Sequence, residues 1–206
     1  MHLVSALPST LNYQNLISQC ESVSAFANSV HYESPLIKSW SAYENLCCGF
    51  QSDYNKTKIT CGLNDTLVTG IKLHDLDLYG EPDWAILESI PFLSELDMSM
   101  NKLEGNLSIY SNLFYLNVSH NEFSWVTFKE RINGPLTIFD ISYNNVSDIS
   151  IVDGGLTRAL DDQTLCDASS NYIPIENQIP SICACDVFDM RGYKWSIPDD
   201  ELNITE

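Results

Sequence analysis

One phrase recurs along this chain, and it restricts the possible folds more than anything else in the sequence. It reads Leu93-Ser-Glu-Leu96-Asp-Met98-Ser-Met-Asn101-Lys-Leu103, then Leu113-Phe-Tyr-Leu116-Asn-Val118-Ser-His-Asn121-Glu-Phe123, then Leu136-Thr-Ile-Phe139-Asp-Ile141-Ser-Tyr-Asn144-Asn-Val146. A weaker copy follows at Thr164-Leu-Cys166-Asp-Ala168-Ser-Ser-Asn171-Tyr-Ile173. Two apolar residues separated by one polar residue alternate as a half-buried strand requires. The Asn three residues later cannot be apolar core. Its amide can satisfy backbone donors and acceptors where the chain turns off the strand, and Asn101, Asn121, Asn144 and Asn171 would stack into a ladder. A single coil cannot bury its own apolar face, so neighbouring coils must stack.

This is the spacing of a leucine-rich repeat. The expected fold class is an α/β solenoid: a short right-handed leucine-rich-repeat coil with a parallel β-sheet face. Successive copies lie 20 residues apart (Leu96 to Leu116), then 23 (to Phe139), then 27 (to Cys166). The last interval implies a loop or insertion near Asp153-Gly-Gly155. A degenerate earlier coil runs from Val68 through Ile71, Leu73 and Leu78 to Gly80, with Leu76 at the Asn position. Its Gly80-Glu-Pro82 ending resembles the plant-type repeat, L-x-G-x-x-P, and Gln178-Ile-Pro-Ser-Ile182 is similar to the end of the same consensus.

Before the first coil stand Cys20, Ser39-Trp40, the pair Cys47-Cys48, and Cys61. This arrangement resembles the N-terminal cap of plant-type extracellular repeat proteins, the receptor-kinase ectodomains and polygalacturonase-inhibiting proteins. The resemblance implies disulfides Cys20–Cys47 and Cys48–Cys61, each worth about 3–4 kcal/mol on the chain-entropy model. Trp40, Tyr43 and Phe50 would fill the cap. One departure is that no Trp-x-Gly-Val lies between Cys48 and Cys61. The resemblance spans about residues 16–183.

The remaining cysteines are Cys166, Cys183 and Cys185, and their total of 7 is odd. Cys166 is either a small core residue or a partner of Cys183 or Cys185. A leftover thiol would be buried or would pair between molecules. Zinc is not expected, because the spacing is not that of a finger or ribbon. Acceptor sites for N-glycosylation occur at Asn55, Asn64, Asn106, Asn117, Asn145 and Asn203. Disulfides and sequons together suit a secreted, extracellular or cell-surface glycoprotein. Met1 to Ser9 has too short an apolar core and no basic start for a leader, so a mature or partial product is expected. No apolar run approaches a membrane span, so no direct membrane insertion is expected.

With 28 acidic against 10 basic residues the net charge is −18. That disfavours nucleic acid and anionic membranes as partners. It permits a basic partner, and it also simply keeps a secreted protein soluble. The expected organisation is an N-terminal arm at 1–15, a cysteine cap at 16–66, about five repeats over 67–173 and a closing cap and tail at 174–206.

Residues flanking the inward leucines should form the outer face of the sheet in three columns. The first is Gly70, Glu95, Tyr115, Ile138, Leu165. The second is Lys72, Asp97, Asn117, Asp140, Asp167. The third is His74 and then Ser99, Ser119, Ser142, Ser169; Ser there, like Asp in the second column, is common in the plant-type coils this chain resembles, which implies a structural role for the Ser column, where a small hydroxyl suits the sheet edge. Such a face is often the binding surface of a repeat protein, and Glu95, Asp97, Tyr115, Ile138, Asp140, Leu165 and Asp167 are the candidate contacts. A glycan on Asn117 would cover its centre. Catalytic signatures are absent: Ser119-His120 has no nucleophile elbow, the His residues lack ligand spacing, and Asp75-Leu-Asp77 opens no calcium loop. No cofactor, metal or catalytic residue is expected. Two functions remain. One is recognition of an extracellular protein or glycan; the other is assembly with copies of the chain into a homo-oligomer, filament or wall layer.

Overall fold

The first apolar residue of each repeat's pair lies on a short strand with the second just past its end, and these strands stack side by side. The computed structural model describes residues 10–31, 47–51, 56–62, 65–109, 113–128, 136–151 and 165–172. Two helices and ten strands occur there: α1 (Thr10–Ser29), β1 (Thr57–Gly62), β2 (Leu67–Leu73), β3 (Tyr79–Gly80), α2 (Trp84–Leu87), β4 (Glu95–Asp97), β5 (Lys102–Ile109), β6 (Tyr115–Asn117), β7 (Glu122–Phe128), β8 (Ile138–Asp140), β9 (Asp148–Ile151) and β10 (Leu165–Asp167). A six-stranded sheet runs β1-β2-β4-β6-β8-β10, and a four-stranded sheet runs β3-β5-β7-β9. Only β1 is antiparallel, to β2; all other pairs are parallel. The chain is a leucine-rich-repeat-type solenoid with disulfides at its N-terminal end.

The core is built of columns, one residue per coil. Ile71, Leu96, Leu116 and Phe139 form one; Leu73, Met98, Val118 and Ile141 the next; Leu78, Leu103, Phe123 and Val146 a third, all buried. The register makes this possible, because Ile71 pairs with Leu96, Leu96 with Leu116, and Leu116 with Phe139. A one-residue slip would turn every leucine outward.

The second sheet was not anticipated from the sequence. After Asn101 and Asn121 the chain enters a longer strand whose alternate residues point inward: Leu107 and Ile109 on β5, Val126 and Phe128 on β7. The register of β5 against β7 shifts between Gly105 and Asn106. Gly105 has φ +84°, where an L side chain is strained.

The cap grows out of the same sheet. In α1, Leu16, Gln19, Val23, Phe26 and Ala27 are buried, which is one face of a helix, and Val30 just past its end is buried with them. Phe26 packs against Trp84 of α2, with ring centroids 6.1 Å apart, and Trp84 packs against Phe123 at 5.8 Å. Buried Gln19 accepts a hydrogen bond from the Val68 N–H at 3.0 Å, tying α1 to β2. The helix begins at Thr10. Residues 10–15, assigned by sequence to an arm, are therefore helical, because the stripe starting at Leu16 fixes a helix that extends back past it. Strand β1 continues the repeat sheet into the cap, so no break falls there. Disulfides link Cys20 to Cys47 and Cys48 to Cys61.

Candidate recognition surface

The ladder fixes the edge of the face. Asn101, Asn121, Asn144 and Asn171 are all buried. Asn121 Nδ2 donates to the carbonyls of Met98 and Val118 at 3.0 Å each, and its Oδ1 accepts from the Leu103 N–H at 3.0 Å. Asn144 repeats this towards Val118, Ile141 and Phe123, and Asn171 towards Ile141, Ala168 and Val146. Asn101 reaches the first coil, which has no ladder Asn. Its Oδ1 accepts from the N–H groups of Leu76 and Leu78, and its Nδ2 donates to the Leu73 carbonyl. Just before each ladder residue, Asp75, Met100, His120, Tyr143 and Ser170 have φ between +53° and +58°. His120 and Tyr143 stack there with centroids 4.3 Å apart.

On the face itself the pairing sets out two adjoining rows. One is Gly70–Glu95–Tyr115–Ile138–Leu165; the other is Lys72–Asp97–Asn117–Asp140–Asp167. Leu165 is 69 % exposed and Tyr115 and Ile138 are half-buried. The expected third column is not an outward row beyond His74. Ser99, Ser119 and Ser142 are buried. Each donates its N–H and its hydroxyl to Oδ1 of the residue two positions back, Asp97, Asn117 or Asp140, at 2.6–3.1 Å. Ser169 gives its N–H to Asp167. This turn needs only a side-chain oxygen acceptor, so Asn117 can replace Asp in it.

Strand β1 adds a part of the face that sequence reasoning missed. Lys58 lies directly opposite Lys72, and Thr60 opposite Gly70. Lys72 pairs with Asp97 at 3.4 Å, while Lys58 is exposed and makes no ion pair among the described residues. Lys58, Thr60, Gly70, Lys72, Glu95 and Tyr115 help line an open cleft of ≈ 240 Å³. The signal was present in Thr57-Lys-Ile-Thr, a β-branched run with alternate polarity. Elsewhere, Lys56 hydrogen-bonds the carboxylate of Asp75, which lowers the Asp75 pKa below its ordinary 3.8.

Of the sequons, Asn145 is exposed, while Asn106 and Asn117 are half-buried. Asn106 Oδ1 accepts from the Thr127 hydroxyl at 3.1 Å. Asn55, Asn64 and Asn203 lie outside the described residues, as do Trp40, Tyr43, the Asp153-Gly-Gly155 loop, Cys183 and Cys185. Cys166 is half-buried and is itself in a disulfide, so it is not simply a small core residue. Among the described residues no group of three or more His, Cys, Asp or Glu could hold a metal ion, and no helix is long and apolar enough to cross a membrane.

No protein-family model matches the chain, and no curated protein matches it. Among solved structures it is similar to the BIR2 ectodomain from Arabidopsis thaliana, at 19 % identity and a TM-score of 0.48, covering 80 % of this chain and 98 % of that one. At that level of likeness, the fold rests on the strand pairing and the ladder.

Proposed function

We propose that this chain is a secreted or cell-surface leucine-rich-repeat glycoprotein that recognises an extracellular protein or glycan without catalysis. Its cap and repeats are of the plant extracellular type. In this reading residues 16–66 cap the solenoid, 67–173 hold the repeats and 174–206 close it. The carrying observation is the register that places Tyr115, Ile138 and Leu165 beside Asp97, Asp140 and Asp167 on one open face. These side chains are not needed to fill the core. Two disulfides in the cap and a third through Cys166 suit an oxidising compartment.

Selection of displayed peptides and glycans against the glycosylated protein tests this. Ligands lost on Tyr115→Ala and kept on Trp125→Ala, an exposed site on the other sheet, support the face. Ligands indifferent to Tyr115 remove it. The alternative reading is a subunit that self-assembles into a filament or matrix layer. Light scattering separates the two: a monomer at high concentration excludes assembly, and ordered polymers exclude a soluble recognition module. Glycopeptide mapping adds a check, since full occupancy at Asn117 would confine any broad ligand to the strands on either side.

A further inference from the structure

The face is chemically uneven from one end to the other. Its far half, on β6, β8 and β10, carries a continuous apolar row of Tyr115, Ile138 and Leu165. The adjoining Asp140 and Asp167 each use Oδ1 to hold the turn with a serine, at 2.7–3.0 Å. That leaves Oδ2 of each outside the turn. The cap half carries the two lysines, Lys58 opposite Lys72. Like charges directly across a strand pair are unfavourable. The cap half thus sets Lys58 and Lys72 against Glu95 and Asp97, while the far half carries Asp140 and Asp167 in a chain of net charge −18 and attracts cations.

We infer that the far half of the face seats an extended segment in which apolar residues alternate with Lys or Arg, its basic side chains on Asp140 and Asp167 and its apolar ones on Tyr115, Ile138 and Leu165. The inference rests on the face being the recognition surface and adds the partner's chemistry. In an extended segment successive side chains point to opposite sides, so one set meets the apolar row while the other meets the carboxylates. Adjacent strands are about 4.8 Å apart, so β6 to β10 spans roughly 10 Å, the reach of about four extended residues. Carboxylates already held by their serines lose little freedom when a cation docks. Lys58 and Lys72 end the footprint. A second copy of the chain is disfavoured by the repulsion between two highly acidic molecules.

The test uses the glycosylated full chain and three synthetic peptides of about six residues: alternating Val and Lys, alternating Ser and Lys, and alternating Val and Glu. Calorimetry should show the Val–Lys peptide binding roughly tenfold tighter than the equally charged Ser–Lys peptide, with Val–Glu not binding. Asp140→Asn with Asp167→Asn keeps both turns but completes an N-x-S acceptor with Ser142 and with Ser169, so parent and variant are compared here without glycans, and the Val–Lys peptide should weaken by roughly three- to tenfold. Lys58→Glu should not weaken it. Equal binding of the two Lys peptides, or indifference to the double Asn variant, overturns the proposal. If Tyr115→Ala removes binding while the double variant does not, the recognition face stands and the basic partner falls. If neither matters, both fall. A dimer at micromolar concentration that Leu165→Glu dissolves would assign the face to a second copy and also overturn the proposal.

Discussion

Asn121 shows how one side chain joins two coils. Its amide donates to the Met98 carbonyl of the coil before and the Val118 carbonyl of its own, and its oxygen accepts from Leu103 of the coil before. All of this is buried, so no water replaces what is removed. Asn121→Ala leaves the buried Leu103 N–H without its acceptor, at a cost of roughly 1–3 kcal/mol, while the Met98 and Val118 carbonyls keep the amides of Asn101 and Asn144. The expected loss in urea unfolding is therefore about 1–3 kcal/mol. Asp75 is far more open, with its side chain 46 % exposed. Its pKa is lowered by the hydrogen bond from Lys56. A lowered carboxylate pKa means that the unfolded chain binds the proton first as pH falls. The contribution is complete above the unfolded pKa near 3.8 and disappears as pH drops through the lower folded value. Asp75→Asn keeps the left-handed backbone tolerable, and the gap between its stability and that of the parent should close over that window. The gap should be small and should shrink with salt, because the pair is exposed.

At the scale of elements, Gly105 stands where the register of β5 against β7 shifts. Its φ is +84°, and an added Cβ would come 2.6 Å from the Glu81 carboxyl carbon. Glu81 is exposed and its end can move, so the backbone term dominates. Gly105→Ala should cost about 1–2 kcal/mol from the left-handed conformation alone. Adding Glu81→Ala should recover only the remainder, along with loss of the Asn106 N–H contact at 3.3 Å. A thermal melt of both variants separates the two terms. These elements also show what was readable beforehand. The L-x-L strands and the ladder were legible because each position has one physical role repeated in register. The second sheet was written as plainly in Leu107-x-Ile109 and Val126-x-Phe128, but only as period-two fragments after a bulge, which interrupts the alternation. Lys58 was missed because β1 is antiparallel and belongs to the cap, so it carries no repeat phrase. The serines were read as an outward column because period two predicts it. The strands are only three residues long, and the chain turns inward before the serine is reached.

Across the whole molecule, Asn117 interrupts what would otherwise be a run of carboxylates. Its register neighbours are Asp97 and Asp140, and Asp167 follows. Asp97 has Lys72 as a counter-ion at 3.4 Å, and the chain as a whole has few cations to spare. Asn serves the local turn as well as Asp would, since only Oδ1 is used. It also leaves Nδ2 out of that turn, at the position a glycan would take. Asn117→Asp therefore preserves the hydrogen bonds while placing four acidic residues on adjacent strands about 4.8 Å apart. Two unit charges at that distance in water repel by about 0.9 kcal/mol. With a neighbour on each side, the unglycosylated variant should lose about 1 kcal/mol at low ionic strength. At about 1 M salt the screening length falls to roughly 3 Å, so the loss should largely vanish. Adding Asp140→Asn separates the charges again and should recover about half of it. Urea titrations at two salt concentrations read all three values. A penalty that ignored salt would mean that Asn117 is held by packing, not by the charge of the face.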